Sequence, residues 1–293
     1  MEKILDGKKL ADALNSELKL KIDEAVKKTN IKPSLATILV GEDPASKVYV
    51  GIKNKTCAQV GIESLMINLE ENISKEELFN HLTKLNENKR VHGILLQLPL
   101  PEKLKDFTSQ FLEFIFPNKD VDGFHPINRG KLFDYDEELA PCTPKGIIAL
   151  LEHYCIELNG KDVVVINRSN LVGKPLIFML LKRNATVSIC HTFTRNINDY
   201  IKRADILIVA VGQPKFISSE KIKDGVVIID VGTNRVDGKL CGDVDFENVY
   251  EKCSKISPVP GGIGPLTVSF LLQNTFTVYK KQLNSISKYE KTN

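Results

Sequence analysis

Short apolar runs rich in β-branched residues alternate with longer segments of helical periodicity along nearly the whole chain, and this alternation restricts the possible folds most strongly. It is typical of parallel sheets that are covered by helices on both faces. Three strands are predicted in the first half of the chain, at Ser34–Val40, Glu63–Leu69 and Val91–Leu98. Four more are predicted in the second half, at Asp162–Ile166, Thr186–Cys190, Ile206–Val211 and Val226–Val231.

Several helices also carry recognisable start signals. Ser74 and Glu77 have the spacing of a capping box. Thr143 and Pro144 have the order of an N-cap followed by a proline at the first helical position. The periodicity of residues 266–281 predicts a final helix, which we expect to return to the first domain.

The length of 293 residues is sufficient for two domains, and the two series of strands suggest where they divide. We predict a two-domain α/β fold. An N-terminal three-layer α/β domain covers residues 1–145 and is completed by a C-terminal helix over residues 266–285. A Rossmann-type domain with a mostly parallel sheet covers residues 146–265.

The composition excludes several classes of protein. Hydrophobic residues make up 42% and charged residues 26% of the chain, as in soluble globular proteins. The net charge of +3, without basic blocks, does not favour a nucleic-acid partner. The six cysteines contain no C-x-x-C pair, so we expect reduced thiols and no metal site. Because no signal peptide and no apolar run of ~20 residues is found, we expect a cytoplasmic protein with no membrane partner.

One helical segment combines groups that could carry protons. Ser46, Tyr49 and Lys53 follow one another at spacings of three and four, so they can share one helix face. Apolar neighbours surround Lys53, and an apolar environment favours the neutral form of an ammonium group, as a proton carrier requires. The alternative is a surface helix on which Tyr49 packs and the lysines are solvated.

The loop after the strand Asp162–Ile166 is a candidate nucleotide site. It reads Asn167-Arg168-Ser169-Asn170-Leu171-Val172-Gly173 and leads into an apolar helix. A strand–loop–helix unit directs backbone N–H groups and the positive helix end at an anion. Only Gly173 of a glycine-rich fingerprint is present, so an ordinary turn remains an equal alternative.

The end of the next strand indicates which dinucleotide would bind. NAD sites usually carry an acidic residue there, which holds the ribose 2′-hydroxyl. This chain instead reads Cys190-His191-Thr192-Phe193-Thr194-Arg195. Hydroxyl groups together with Arg168 and Arg195 suit a 2′-phosphate, so we expect NADP. For His191 we favour a hydrogen-bonded loop histidine without a catalytic role.

Glycines follow two further strands of this domain. Gly212 and Gly232 lie at predicted carboxyl ends of strands, where ligands approach open α/β sheets. A glycine lets a cofactor come close to the backbone, although turn formation alone would also explain both.

Three other segments could surround a small polar heterocycle. Gln97 is an amide inside the apolar run Gly93–Pro101 and needs a hydrogen-bond partner. Asp120 and Asp122 lie beside a glycine turn, and a simple turn is one interpretation. The other is that a carboxylate here accepts two parallel N–H bonds from a ligand. The glycine-rich loop of residues 258–267 could bring its backbone close to a ligand, or could be only a complex turn.

Together these segments resemble the methylenetetrahydrofolate dehydrogenase/methenyltetrahydrofolate cyclohydrolase (FolD) family. The resemblance covers nearly the whole chain. It rests on five motifs in the same order: Tyr49-Val50-Gly51-Ile52-Lys53, Gln97-Leu98-Pro99-Leu100-Pro101, Asp120-Val121-Asp122-Gly123, Pro141-Cys142-Thr143-Pro144 and Pro258-Val259-Pro260-Gly261-Gly262-Ile263-Gly264-Pro265.

The resemblance implies two reactions of tetrahydrofolate derivatives in a homodimer. Hydride passes from 5,10-methylenetetrahydrofolate to NADP, and water then opens the methenyl product to 10-formyltetrahydrofolate. By resemblance, Lys53 is the general acid/base, Tyr49 stacks on or orients the folate, Gln97 tunes Lys53 and Asp122 anchors the pterin. Further substrate-binding residues carried over are Leu96, Leu98, Pro260, Gly261, Gly262 and Gly264. Cofactor-binding residues carried over are Asn167, Arg168, Ser169, Gly173, Thr192, Gly212, Gly232 and Thr233.

The chain departs from this family at the nucleotide site. Asn167 stands where Gly is common, and we expect the turn to survive because asparagine tolerates left-handed backbone. Thr192 retains a hydroxyl where Ser is common, and Phe193 replaces Lys and alters the edge of the adenosine pocket. Two rival interpretations are a dehydrogenase that has lost the hydrolytic step and a non-catalytic NADP-binding module.

Overall fold

The computed structural model describes the backbone of residues 3–292 and the side chains up to residue 284. The strands are β1 Ser34–Val40, β2 Glu63–Leu69, β3 Gly93–Leu96, β4 Asp162–Ile166, β5 Thr186–Cys190, β6 Ile206–Val209, β7 Val227–Asp230, β8 Asn234–Val236, β9 Lys239–Cys241 and β10 Lys255–Ile256. The helices are α1 Gly7–Thr29, α2 Pro44–Val60, α3 Lys75–Glu87, α4 Glu102–Lys105, α5 Thr108–Phe114, α6 Pro126–Gly130, α7 Cys142–His153, α8 Gly173–Leu181, α9 Ile197–Arg203, α10 Phe246–Tyr250 and α11 Ile263–Thr292. None of the helices in the described part of the chain is long and apolar enough to span a bilayer.

The chain forms two compact units. The first unit consists of residues 14–131 and 138–140 together with the chain from residue 268 onward. The second unit consists of the chain up to residue 13 and of residues 132–137 and 141–267. This confirms the predicted two-domain α/β fold class.

The first unit contains a parallel three-stranded sheet in the order β2-β1-β3. The central strand β1 is buried along its whole length, and Ala36, Ile38 and Val40 pack into a core with residues of α3 and α5. The capping box at the start of α3 is confirmed, since Glu77 N–H donates to Ser74 Oγ at 3.1 Å and Ser74 N–H donates to Glu77 Oε2 at 2.8 Å.

The second unit contains a parallel five-stranded sheet in the order β10-β7-β6-β4-β5. The chain passes from β4 to β5 on one side and then crosses to β6 on the other side of β4. The strand order therefore reverses between β4 and β6, and open α/β sheets bind ligands at the carboxyl ends of strands at such a point. A short antiparallel pair, β8 and β9, precedes α10.

Predicted and observed strands agree in position and differ at some ends. Strands β1, β2, β4 and β5 have the predicted bounds. Strand β3 is shorter than the predicted 91–98 because its pairing with β1 extends only from Gly93 to Leu96. Strands β6 and β7 each lose residues at their predicted ends, where the chain turns into loops. The strands β8, β9 and β10 were not predicted, since they have only two or three residues each.

The start of α7 differs from the prediction. The helix begins at Cys142 with Pro141 as its N-cap, so Thr143 is a helical residue and not the cap. The hydroxyl of Thr143 contacts the hydroxyl of Thr267 at 3.0 Å.

Three segments that the sequence grouped with the N-terminal domain lie in the second unit, namely the chain up to residue 13, residues 132–137 and residues 141–145. Near the N-terminus, Leu5 N–H donates to Ile256 O at 2.9 Å, and Ile4 forms a parallel bridge with the same residue. In the segment 132–137, the carboxylate of Glu137 receives two hydrogen bonds from the Arg183 guanidinium, at 2.7 and 3.2 Å. By contrast, α11 from residue 268 onward groups with the first unit, where Asn274 Nδ2 donates to Val121 O at 2.9 Å.

A buried histidine lies beside β3 in the first unit. His92 Nδ1 accepts the Ser34 N–H at 3.1 Å. The imidazole and the Tyr279 ring are packed edge to face, with their centroids 5.0 Å apart. Burial, assisted by the positive charge of Lys119, lowers the pKa of His92 to about 4. The folded protein therefore holds this histidine neutral.

We expect the unfolding free energy to fall on acidification from pH 6.5 toward 4. An unfolded histidine has a pKa of about 6.5, so between pH 6.5 and 4 the unfolded state binds a proton that the native His92 does not. The free energy of unfolding should therefore decrease by about 1–2 kcal/mol over this range, after allowance for solvent screening. His92→Asn, which keeps an acceptor for the Ser34 N–H, should flatten this dependence in urea titrations at several pH values. His153→Asn, at an exposed position, is the control, and an equal flattening by this variant would contradict the assignment.

Candidate active site and nucleotide site

Helix α2 buries Lys53 next to the end of β3. The helix starts after Asp43, whose carboxylate accepts the Ser46 N–H at 2.7 Å, and Pro44 occupies its first turn. Lys53 is 9% exposed, and its Nζ donates to Gln97 Oε1 at 2.9 Å. Gln97 Nε2 in turn donates to Leu98 O at 2.6 Å, which orients the amide so that its oxygen faces the ammonium. The structure therefore fixes an oriented lysine–glutamine pair.

The surroundings of Lys53 differ from those of a solvated helix face. The apolar side chains of Val48 and Ile52 on the same helix are about half exposed, whereas the lysine is buried. One turn further, burial raises the pKa of the Cys57 thiol to about 12, and the nearby charge of Lys53 acts in the opposite direction. Cys57 is fully buried and packs inside the first unit. Because Lys53 is buried as well, the alternative of a solvated Lys53 is wrong.

Tyr49 and Asp122 are both half-buried. Tyr49 precedes Lys53 by one helical turn on α2, so the two share a face. Asp120 forms a parallel bridge with Ile94 of β3, and Asp122 lies two residues after it. Gln97 is the first residue after the end of β3. Since both segments run in the same direction, Asp122 and Gln97 lie toward the same edge of the sheet.

Asp120 accounts for the turn that precedes Asp122. Its carboxylate accepts the N–H groups of Gly123, Phe124 and His125 at 2.9–3.1 Å and the Asn128 amide at 2.9 Å. Burial raises the pKa of Asp120, and these hydrogen bonds act in the opposite direction. The turn interpretation therefore applies to Asp120, and Asp122 is left as the partly accessible acid of the pair.

The other predicted folate-site residues are divided between the two units. Leu96 is buried and Leu98 is half-buried in the first unit. Residues 260–264 belong to the second unit, where Gly261 has a φ of +106° and its carbonyl accepts the Lys8 N–H at 2.8 Å. A Cβ on Gly262 would lie 2.5 Å from Pro258 O, so this glycine is required for the packing of the loop itself.

Asn167 organises the loop between β4 and α8. Its Nδ2 donates to Ala210 O at 2.6 Å, which joins the carboxyl ends of β4 and β6. Its Oδ1 accepts from Ser169 N–H at 2.9 Å, from Ser169 Oγ at 2.8 Å and from Gly173 N–H at 3.0 Å. Asn167 does not use the left-handed backbone that asparagine tolerates, because it is not among the residues with positive φ. The side chain, and not the backbone conformation, preserves the turn.

Two buried aspartates that sequence reasoning missed shape the neighbouring loops. Asp243 accepts the N–H groups of Val211, Gly212 and Gln213 at 2.6–3.1 Å. Asp230 accepts those of Gly232, Asp243 and Val244 at 2.9–3.0 Å.

The hydrogen bonds of these two aspartates limit which backbone groups can bind a ligand. The amide of Gly212 is already used by Asp243 and is not free for a phosphate. Burial raises the pKa of Asp230 to about 6. The signal that could have found Asp230 is the one that singled out Gln97: a polar residue inside an apolar run needs partners.

The loop after β5 is closed by its own groups. His191 N–H donates to Thr194 Oγ1 at 2.9 Å, and His191 Nδ1 accepts the Phe193 N–H at 3.2 Å. This is the hydrogen-bonded loop histidine that the sequence favoured. The remaining predicted cofactor residues on this edge, Arg168, Thr192, Gly212 and Thr233, are exposed, and Gly232 is buried against Asp243.

The fold and the site together define a two-domain α/β protein with a Rossmann-type sheet and a separate lysine–glutamine site. Residues 5–122 match the family model described as tetrahydrofolate dehydrogenase/cyclohydrolase, catalytic domain. Residues 141–283 match the model described as tetrahydrofolate dehydrogenase/cyclohydrolase, NAD(P)-binding domain. The chain therefore belongs to the tetrahydrofolate dehydrogenase/cyclohydrolase family.

Individual relatives agree with this membership. The chain is 49% identical over 281 residues to the bifunctional protein FolD of Acetivibrio thermocellus, covering 96% of this chain and 98% of the relative. The crystal structure of the bifunctional enzyme FolD from Campylobacter jejuni is similar with a TM-score of 0.90 and 47% identity, covering 95% and 99%. The Trypanosoma brucei enzyme, solved with NADP cofactor and inhibitor, has a TM-score of 0.91 and 35% identity, covering 96% and 98%.

We expect Gly173→Ala to destabilise the protein. The added Cβ would lie 2.1 Å from Asn167 O and 2.8 Å from Asn167 Oδ1, so the hydrogen-bonded loop would have to shift. Overpacking of this kind costs about 1–3 kcal/mol, measurable by urea denaturation. Gly130→Ala, where a Cβ meets nothing within 4 Å, should stay within about 0.5 kcal/mol of the parent protein. Equal stabilities of the two variants would contradict the role of Gly173.

Proposed function

We propose that this protein oxidises 5,10-methylenetetrahydrofolate with NADP and hydrolyses the methenyl product to 10-formyltetrahydrofolate. The observation that carries the proposal is the hydrogen bond between the buried Lys53 and Gln97, because a buried, oriented amine is the group that the hydrolytic step needs. Family membership over both domain models supports the same two activities.

The residues of the second unit fit NADP. The loop held by Asn167 leads into the amino end of α8, whose helix dipole favours an anion, while the N–H groups of Gly173 and Lys174 at this end are used by Asn167 Oδ1 and Ser169 O. No acidic residue follows β5, and exposed Arg168 lies on the neighbouring loop, as a 2′-phosphate requires. Gly212 is exposed, and no atom lies within 4 Å of the position of a Cβ, so its backbone can be approached. When bound, NADP accepts the hydride from the one-carbon bridge of the folate.

In the first unit, Asp122 is the proposed anchor of the pterin. A half-buried carboxylate can accept two parallel N–H bonds from the ring edge of such a heterocycle. Tyr49, on the same face of α2 as Lys53, would stack on or orient the ring. Hydride transfer needs mainly this positioning, because the chemistry belongs to the cofactor.

Lys53 is the proposed proton carrier of the hydrolytic step. As water adds to the methenyl carbon, Nζ takes a proton from the water, and it then returns a proton to the folate nitrogen whose bond to that carbon breaks. The formyl group stays on the other nitrogen, so the atoms balance with the release of one proton. Gln97 holds Nζ through Oε1, and such proton transfer contributes about 10²–10⁴ in rate.

The finer assignments are part of the same proposal. We propose a cytoplasmic homodimer whose product serves as a one-carbon donor, including for purine biosynthesis. We propose that the substrate is lined by Leu96, Leu98, Pro260, Gly261, Gly262 and Gly264.

Lys53→Met should abolish hydrolysis of methenyltetrahydrofolate in the absence of nucleotide and leave part of the dehydrogenase activity. The loss expected is at least about 10²-fold, because the proton carrier is removed while the shape of the side chain is kept. The assay follows the methenyl chromophore. Lys55→Met, at an exposed position two residues away, is the matched control and should retain both activities.

The outcomes of this experiment separate the rival interpretations. An equal loss of both activities with the fold intact would contradict a specific proton role of Lys53. A parent protein that reduces NADP but does not hydrolyse the methenyl substrate would be a dehydrogenase alone. A parent protein that binds no reduced folate would be an NADP-binding module.

Asp122→Ala should raise the KM for 5,10-methylenetetrahydrofolate by about tenfold or more, because a charge-assisted pair of hydrogen bonds is lost. Steady-state kinetics at saturating NADP measure the effect. Asp106→Ala, which removes an exposed carboxylate of the same unit, should leave KM unchanged. An Asp122 variant with the KM and kcat of the parent protein would rule out the anchor role.

A further inference from the structure

Phe193 is the most exposed of the large apolar side chains that the structure describes, at 78% of its surface. It follows β5 by three residues, on the edge of the sheet where the nucleotide loops lie. Single exposed apolar side chains are common on protein surfaces, so the contacts of the ring, and not its exposure, indicate a role.

The backbone of the loop holds the ring outside the core. Thr194 N–H donates to His191 O at 2.8 Å, and the Thr194 hydroxyl accepts the His191 N–H at 2.9 Å. The imidazole also accepts the Phe193 N–H and meets the phenyl ring nearly edge-on, with the ring centroids 6.3 Å apart. The orientation of Phe193 therefore follows from a closed turn and does not depend on packing against the sheet.

The ring of Phe193 contacts the guanidinium of Arg168. The Arg168 Cζ atom lies over the ring, 5.3 Å from its centroid, within the range of a cation–π interaction. The two loops are neighbours because β4 and β5 pair in parallel, with Ile166 opposite Cys190. No acidic residue occurs in the sequence between Asp162 and Asp199, so these loops supply no carboxylate of their own to Arg168.

This contact has a specific chemical consequence. A carboxylate partner would neutralise Arg168 and occupy its N–H groups, whereas an aromatic ring takes only one face of the guanidinium. The planar edge with its N–H donors stays available for a doubly charged phosphate. Arg168 is thus restrained without being neutralised.

We propose that Phe193 is a positioning residue that sets the preference for NADP over NAD by holding Arg168 for the 2′-phosphate. The inference rests on the proposed function, since it assumes that the second unit binds NADP. NAD lacks only the 2′-phosphate, so a restraint on Arg168 acts on NADP and leaves NAD unaffected.

The test compares Phe193→Leu with Phe193→Tyr. Leucine removes the aromatic face while it keeps an apolar side chain, and tyrosine keeps the face. For Phe193→Leu we expect kcat/KM with NADP to fall about 5-fold, the size of an exposed cation–π contact, and to fall by more than kcat/KM with NAD does. The Kd of 2′,5′-ADP, measured by calorimetry, should rise by the same factor. Phe193→Tyr should restore the values of the parent protein.

A double-mutant cycle with Arg168→Gln identifies the route of the effect. Once the guanidinium is removed, Phe193→Leu should cause no further loss with NADP. Two results would overturn the inference: equal losses with NADP and NAD, or an undiminished effect of Phe193→Leu in the Arg168→Gln background. In either case the ring would act on the part of the nucleotide that NAD and NADP share. Thermal unfolding of each variant verifies the fold.

Failure of the inference and failure of the proposed function give different results. A parent protein that prefers NADP, together with a Phe193→Leu variant of equal preference, overturns only the role of Phe193. A parent protein that uses NAD as well as NADP overturns both the cofactor assignment and this inference.

Discussion

Side-chain oxygens that accept backbone N–H groups shape the loops at the carboxyl ends of the strands in both sheets. The loops that leave parallel strands carry N–H groups that the ladder of the sheet does not pair. Asn167, Asp230 and Asp243 satisfy them in the second unit, and Asp120 does so in the first. Each of these residues gathers at least two N–H groups, so each loop is held in one conformation. The exposed candidate binding residues take their places from these loops.

The same arrangement distinguishes carboxylates that are filled by backbone N–H groups from one that stays partly accessible. Asp120 is buried and has its hydrogen-bonding capacity filled by the turn, whereas Asp122, two residues later, is half-buried. In the second unit the amide of Gly212 is occupied by Asp243, so an incoming anion must be bound elsewhere on that edge. The N–H groups of Gly173 and Lys174 at the amino end of α8 are likewise taken, by Asn167 Oδ1 and Ser169 O, so the exposed Arg168 is the candidate that remains. The contact of Arg168 with Phe193 restrains the arginine without neutralising it.

Lys53 combines burial with a single oriented partner. The Gln97 amide has its N–H₂ directed at Leu98 O, so its oxygen is committed to the ammonium. The contact is therefore a hydrogen bond between a buried amine and a neutral amide, and not an ion pair.

The sequence by itself determined the fold class, most strand positions and the family, because hydrophobic periodicity and the five short motifs are local properties of the chain. It also singled out Gln97 correctly as a polar residue that needs a partner. It did not predict the partners of Asp230 and Asp243, the true cap of α7, or the grouping of residues 3–13 with the second unit. These depend on contacts between residues far apart in the chain. Only the tertiary structure decides them, because a hydrogen bond between two loops requires that the sheet first bring both loops to the same edge.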